Sequence, residues 1–69
     1  MKVYMSMDAE GISGIFKLHQ VIQGHPDYEY ARTLMAGDVN AAIAGACDAG
    51  AEHVFVCDAH NNGDNLRIT

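Results

Sequence analysis

The sequence has few basic residues, no tryptophan and no long apolar run, and these absences narrow what the protein can do. Four Lys and Arg stand against nine Asp and Glu, for a net charge of −5. The basic residues lie far apart, at positions 2, 17, 32 and 67. They form no basic patch of the kind that binds nucleic acid or anionic membranes, and no apolar run is long enough to cross a bilayer. We therefore expect no nucleic acid and no membrane among the partners.

The amino-terminal segment lacks the composition of a signal peptide. Lys2 leads directly into an alternating segment that contains Ser6 and Asp8, without an apolar stretch or a cleavage site. We therefore expect a cytoplasmic location. With 69 residues the chain makes at most one small domain. A chain of this size buries only about 60% of the surface that it exposes when unfolded, so it is marginally stable without added support.

Only two cysteines occur, and neither belongs to a CxxC motif. Cys47 lies among alanines of a predicted helix and Cys57 ends an apolar run, which favours free, buried thiols over a disulfide. Cys57 precedes Asp58, so a role as a soft metal ligand stays open. No GxGxxG, no GxxxxGK[ST] and no nucleophile elbow is present, which argues against a dinucleotide site, a phosphate loop and a serine hydrolase.

The segment KVYMSMDAEGISG, residues 2–14, combines a strand pattern with two carboxylates. Apolar residues at every second position from Val3 to Met7 predict a strand that ends where Asp8 and Glu10 begin. The glycines that follow allow the backbone to turn sharply, so that two oxygen ligands can leave one strand end. A metal site is one interpretation. The other is that one carboxylate only caps the next turn.

A helix and a second strand follow. Pro26 and Asp27 predict a helix start, with Asp27 as the N-cap and Tyr28 in the first turn, and Gly50 is predicted to stop the helix. The run HVFVC, residues 53–57, has the composition of a strand buried on both faces of a parallel sheet. Residues 15–24 receive no assignment, and residues 61–65 are predicted to form a solvated, turn-rich loop. The predicted core residues are Leu34, Val39, Ile43, Val54 and Val56.

This order predicts an α/β fold, a right-handed βαβ unit with parallel strands at the start of a larger three-layer α/β domain. Both strands then end at the same edge of the sheet, where ligands bind in open α/β folds. Asp58 and His60 join Asp8 and Glu10 there. Mixed oxygen and nitrogen donors suit Zn²⁺ or a similar ion. His19 and His25 are predicted to be surface residues rather than ligands.

Three stretches resemble a known family: MDAEGISG, PDYEYARTLMAGDVNAAIAGACDAGA and VFVCDAHNNGDNL. They are similar, in collinear order, to the amino-terminal part of the zinc-dependent D-aminopeptidases of the DppA type, peptidase family M55. The resemblance implies that Asp8 bridges two zinc ions and that Glu10 and His60 complete the first site. It also implies that Asp58 lies behind these ligands and orients them. Family members more usually have Asn and Ser in place of Cys57 and Ala59.

Family members are several times longer than this chain. The resemblance implies that a second zinc-binding His, a zinc-binding Glu and a catalytic His lie downstream of Thr69, so no catalytic residue is assigned here. We interpret residues 1–69 as the incomplete amino-terminal part of a single metallopeptidase domain: a fragment, a truncated gene product or one piece of a split protein. A two-stranded sheet with an uncovered face agrees with that interpretation.

The expected function of the parent protein is a metallo-aminopeptidase that removes amino-terminal D-residues from short peptides or amides. The resemblance also implies a ring-like homo-oligomer. One alternative is a noncatalytic metal-binding or assembly module. Another is a phosphatase-like hydrolase with Asp8 as nucleophile, which the absence of the usual accompanying Thr argues against.

Overall fold

The computed structural model describes residues 1–66. The expectation that further site residues follow Thr69 lies outside the described residues. Two strands and one long helix form the unit: β1 (Lys2–Met7), α1 (Pro26–Asp48) and β2 (His53–Asp58). Two short 3₁₀ turns lie between β1 and α1, a first at Ala9–Gly11 and a second at Leu18–Val21. Within the described residues, no helix combines the length and apolar character needed to cross a bilayer.

The two strands pair in parallel, which confirms the predicted βαβ unit. The register runs from Lys2 opposite His53 to Met7 opposite Asp58. β1 ends at Met7, where the alternation predicted its end. One further hydrogen bond, from Ala59 N to Met7 O at 2.8 Å, continues the pairing past the strand ends. The residues that follow both strands therefore leave the sheet side by side.

Helix α1 begins at Pro26, two residues earlier than an N-cap at Asp27 would allow. Its N-cap is His25, whose Nδ1 accepts a hydrogen bond from Asp27 N at 3.2 Å, so the assignment of Asp27 as N-cap was wrong. Pro26 occupies the first helical position, where its missing N–H leaves no hydrogen bond unmade. The helix ends at Asp48, and Gly50, with φ +100°, follows the C-cap Ala49 and provides the predicted stop. Gly50 N bonds to Cys47 O and Ala51 N to Ala46 O, the pattern of a Schellman motif.

The core lies between α1, one face of the sheet and the loops that follow β1. Of the predicted core residues, Val39 is buried, Leu34, Ile43 and Val54 are partly buried, and Val56 is exposed. The helix instead turns a stripe centred on Met35 toward the core, with Tyr28 and Ala31 beside it. The buried hydrophobic residues are Met7, Ala9, Ile12, Val21, Tyr28, Ala31, Met35 and Val39.

The other face of the sheet is not covered by any described residue. Tyr4 and Phe55 stack there at a centroid separation of 4.8 Å, and both are exposed. β2 was predicted to be buried on both faces, but most of it is exposed. Cys47 and Cys57 are free thiols, as predicted, yet both are exposed rather than buried. The β-branched composition of β2 describes a strand between two layers, and residues 1–66 supply only one.

Candidate metal centre

Three of the four predicted site residues meet at the shared edge of the sheet. His60 Nδ1 lies 3.1 Å from Asp8 Oδ1 and 3.3 Å from Glu10 Oε1. One possible ligand atom from each residue lies within 4.8 Å of the other two. The imidazole is buried, with its side chain 6% exposed, whereas the Asp8 and Glu10 side chains are 60% and 64% exposed. A buried nitrogen therefore faces two carboxylates that are open to solvent.

The local backbone explains how two carboxylates from one segment reach the same nitrogen. Asp8 follows β1 directly and occupies the cap position of the first 3₁₀ turn, yet its side chain makes no capping hydrogen bond. Instead, Gly11 N bonds to the backbone oxygen of Asp8 at 3.0 Å. This tight turn brings Glu10 back beside Asp8. The capping interpretation therefore does not describe what the Asp8 carboxylate does here.

The segment after this turn is tied to α1. Ser13 N donates to Asp38 Oδ2 at 2.8 Å, and a Cβ at Gly14, which has φ +88°, would lie 3.2 Å from Leu34 Cδ1. Gln20 is buried and organises the next loop, because its Oε1 accepts from two successive backbone nitrogens at 2.8 Å each. The roles of Asp38 and Gln20 were not predicted from the sequence. Each bonds to backbone groups, which are the same in every residue and so leave no pattern in the sequence.

His60 is oriented by the second 3₁₀ turn. Its Nε2 lies 2.8 Å from Val21 O. A carbonyl oxygen can only accept, so Nε2 carries the hydrogen and donates it. In the neutral imidazole the lone pair is then on Nδ1, the nitrogen that faces Asp8 and Glu10. Such a bond from the distal nitrogen is the usual way in which a metal-ligating histidine is held. Val21 was not predicted to belong to the site, because the contact uses its backbone.

Burial lowers the pKa of His60, but several interactions outweigh it and the net shift is upward. These are the bond to Val21 O, the bond to Asp8 and the negative charges of Glu10 and Asp8. Hydrogen bonds with Glu10 and then with His60 hold the pKa of Asp8 below its ordinary value. Without a metal, the site therefore favours a protonated imidazole against a carboxylate.

Asp58 lies behind the cluster and contacts its own loop. Its Oδ2 accepts from Asn65 N and Leu66 N, each at 2.8 Å, and its Oδ1 accepts from Asn65 Nδ2 at 2.9 Å. Burial raises the pKa of Asp58, but these bonds and one from the His60 backbone outweigh it and lower the pKa overall. Asp58 therefore holds the loop that carries His60 and makes no hydrogen bond to the ring.

A second group of possible ligands, His19, His25 and Asp27, meets at the amino terminus of α1. The two imidazoles stack at 4.3 Å with an interplanar angle of 16°. Because ring-nitrogen lone pairs lie in the ring plane, nearly parallel stacked rings do not both point at one ion. His25 Nδ1 is also engaged as the helix cap. This arrangement stabilises the helix end and does not suit a metal.

The donor set at the sheet edge does fit a zinc ion. Zinc is held by imidazole nitrogen and carboxylate oxygen at about 2.0–2.2 Å, so neighbouring ligands of a tetrahedral site lie about 3.4 Å apart. The two nitrogen–oxygen separations, 3.1 and 3.3 Å, are close to that spacing. Two oxygens and one nitrogen also leave a position for water or substrate.

The whole chain, residues 1–69, matches the profile of the D-aminopeptidase family, peptidase family M55. The chain belongs to this family. It is 41% identical over 68 residues to the D-aminopeptidase of Bacillus subtilis (strain 168), with 99% of the chain and 25% of that protein covered. A solved structure described as the zinc-dependent D-aminopeptidase DppA from Bacillus subtilis, a self-compartmentalizing protease, matches with a TM-score of 0.94. That match has 41% identity and covers 99% of this chain and 25% of the other.

These comparisons confirm the family resemblance found in the three sequence stretches. They also confirm the α/β fold, because the βαβ unit matches a solved member of the family. The chain spans about a quarter of the length of the relatives that it matches.

Proposed function

We propose that Asp8, Glu10 and His60 bind zinc, and that the whole protein is a zinc-dependent D-aminopeptidase. Residues 1–69 form the amino-terminal part of its single domain. The observation that carries the proposal is the separation of His60 Nδ1 from two carboxylates, at 3.1 and 3.3 Å, with Nε2 fixed by Val21 O. The name of the Bacillus relative supports both the metal and the reaction class.

In this proposal zinc supplies Lewis acidity, which polarises a carbonyl and acidifies water. The residues of this chain would hold the ion and orient its ligands. His60 presents its Nδ1 lone pair from a buried position, and the exposed carboxylates provide negative charge at the open side of the site. The family resemblance implies that Asp8 also contacts a second ion. Asp58 and the bonds it accepts keep the His60 loop in place.

Glu10 lines a shallow groove with a volume of about 290 Å³. Its apolar lining includes Ile15, Phe16, Leu18 and Val21. We propose that it takes an apolar part of a short peptide or amide substrate next to the metal. The description of the relative as a self-compartmentalizing protease supports a homo-oligomeric assembly of the whole protein.

Calorimetric titration with zinc tests the ligand assignment. The Asp8→Ala and His60→Ala variants of the full-length protein should bind zinc at least about tenfold more weakly than the unmodified protein, since each loses a direct ligand. His19→Ala is the matched control, because His19 belongs to the stacked pair and should leave the affinity unchanged. Equal affinity in all three variants would contradict the proposal.

The reaction class is tested by hydrolysis of D- and L-aminoacyl amides by the full-length protein, before and after removal of zinc. Zinc-dependent turnover with a preference for the D-substrate is expected. A noncatalytic metal-binding module would bind zinc without turnover. A phosphatase-like hydrolase would form a trapped phosphoryl-aspartate at Asp8.

A further inference from the structure

Asn65 is a completely buried polar residue in a loop that was predicted to be solvated. Its exposure is 0%, whereas residues 61–64 are all exposed. A buried amide must satisfy its polar atoms inside the protein, since leaving one unpaired costs about 1–3 kcal/mol. Its partners therefore show which parts of the structure it holds together.

The Asn65 side chain makes every hydrogen bond available to it. Oδ1 accepts from Gln23 Nε2 at 3.2 Å and from the Tyr28 hydroxyl. Nδ2 donates to Asp58 Oδ1 at 2.9 Å and to His60 O at 2.6 Å. An amide offers two acceptor positions and two donors, so all four are used.

The backbone of Asn65 adds two further connections. Its N–H donates to Asp58 Oδ2 at 2.8 Å, and its carbonyl accepts from Arg32 Nε at 2.9 Å. One residue thus joins the end of β2, two side chains of α1 and the backbone of His60. A side chain with only acceptors, or with no polar atoms, cannot make these bonds.

We propose that Asn65 is a positioning residue that holds His60 in the geometry needed for metal binding. Nδ2 fixes the His60 backbone from one side, and Val21 O fixes the ring from the other. With both ends of the residue held, Nδ1 stays directed at Asp8 and Glu10. The inference rests on the proposed zinc site, and none of the hydrogen bonds of Asn65 reaches the Asp8 or Glu10 side chain.

Two isosteric variants of the full-length protein separate this role from a general effect of loop charge. Asn65→Asp keeps the shape but loses both donors and places a carboxylate against Asp58. Asn62→Asp is the matched control, because Asn62 is exposed in the same loop and uses only Oδ1, as acceptor from Gln23 Nε2 and Asp64 N. Both variants add one negative charge.

Zinc affinity is measured by chelator competition at a temperature well below the thermal denaturation midpoint of each variant. Co²⁺ absorption spectra report the ligand geometry. Asn65→Asp should weaken zinc binding by about 10- to 100-fold, the usual effect of losing a group that orients a ligand, and should alter the Co²⁺ spectrum. Asn62→Asp should stay within about threefold of the unmodified protein, with an unchanged spectrum, because no orienting bond is lost. A folded Asn65→Asp variant with unmodified affinity and spectrum would overturn the proposal.

Tyr28→Phe provides the second test if Asn65→Asp does not fold. It keeps the buried ring and removes only the hydroxyl that donates to Asn65. Several-fold weaker zinc binding by a folded Tyr28→Phe variant supports the inference, and unchanged affinity overturns it. If the unmodified protein shows no zinc binding that depends on His60, the proposed site itself is refuted, which is a different result from a failure confined to Asn65.

Discussion

At the scale of single residues, His60 has two nitrogens with different tasks. Nε2 donates to a backbone carbonyl that cannot change its role, whereas Nδ1 faces two carboxylates and can hold either a proton or a metal. Metal ligands must be deprotonated, so the proton and the metal compete for Nδ1. The upward shift of the His60 pKa favours the proton in that competition.

The metal-free protein should lose stability as the pH rises through the raised pKa of His60. In the unfolded chain the histidine pKa is about 6.5. A group whose pKa is higher in the folded state stabilises the fold fully below the unfolded value, and this contribution disappears above the folded value. Urea denaturation should therefore show the largest stability difference between the unmodified protein and His60→Gln at low pH. His53→Gln is the control, and a His60→Gln difference independent of pH would contradict the prediction.

Not all of the site could be predicted from residue types. Asp8, Glu10 and His60 were found because strand ends in a parallel sheet share one edge, a rule that depends only on the order of elements. Val21 was missed because it acts through its carbonyl. Asn65 was misplaced because a loop rich in Asn and Gly has the composition of an exposed turn, and only the folded packing shows that one Asn points inward.

At the scale of elements, the helix was predicted in the right segment, but its N-cap was misassigned and its buried face was not fully identified. Apolar residues at three- and four-residue spacing include both a stripe through Met35 and Val39 and a neighbouring stripe through Leu34 and Ile43. Periodicity alone cannot choose between adjacent stripes, because the choice depends on where the sheet and loops lie. The structure places Met35 at the centre, with 0% exposure.

Truncation of Met35 should therefore destabilise the protein more than truncation of a predicted core residue at the edge. Met35→Ala should lower the free energy of unfolding by about 2–5 kcal/mol, since it removes buried methylenes and leaves a cavity. Met35→Leu nearly conserves volume and should cost less than about 1.5 kcal/mol. Leu34 is only partly buried. In chemical denaturation, Leu34→Ala should therefore lower the free energy of unfolding by less than Met35→Ala does. The reverse order would show that the core is centred elsewhere.

The loop after β2 contains a glycine that has both a positive φ and a close backbone neighbour. Gly63 has φ +76°, and a Cβ there would lie 3.1 Å from Asp58 O. Gly24 has φ +91° but open space around it. Gly24→Ala should thus show only the cost of backbone strain, about 1–3 kcal/mol.

Gly63→Ala should be more destabilising than Gly24→Ala and should also weaken zinc binding, because it displaces the segment between Asp58 and Asn65. Thermal denaturation and zinc titration of the two variants measure these effects. Gly37→Ala serves as the control for zinc binding, since Gly37 lies within α1, has no positive φ, and a Cβ added there would have no neighbouring atom within 4 Å. Equal stability and affinity of the two loop variants would contradict the assigned role of Gly63.

At the scale of the whole molecule, residues 1–66 provide one helix layer for a sheet whose composition suits two. The order of strand, helix and strand was enough to predict the parallel pairing. The exposure of Phe55 and Cys57, which lie on the uncovered face, was not predicted, because sequence patterns report the layers a strand is adapted to rather than the layers present. The proposed metal site is similarly one-sided, with His60 buried and both carboxylates open to solvent.

The 69-residue polypeptide alone should therefore not hydrolyse D-aminoacyl amides faster than zinc in buffer. Its three proposed ligands surround only one side of an ion, and the family resemblance places the remaining ligands and the catalytic His beyond Thr69. A missing general acid or base alone typically reduces the rate by about 10²–10⁴. Assays of the purified polypeptide with zinc, and of its mixture with the separately expressed carboxyl-terminal part of a relative, measure this directly. Turnover restored only in the mixture and abolished by His60→Ala is expected, whereas turnover by the polypeptide alone that His60→Ala removes would show that these residues suffice for catalysis.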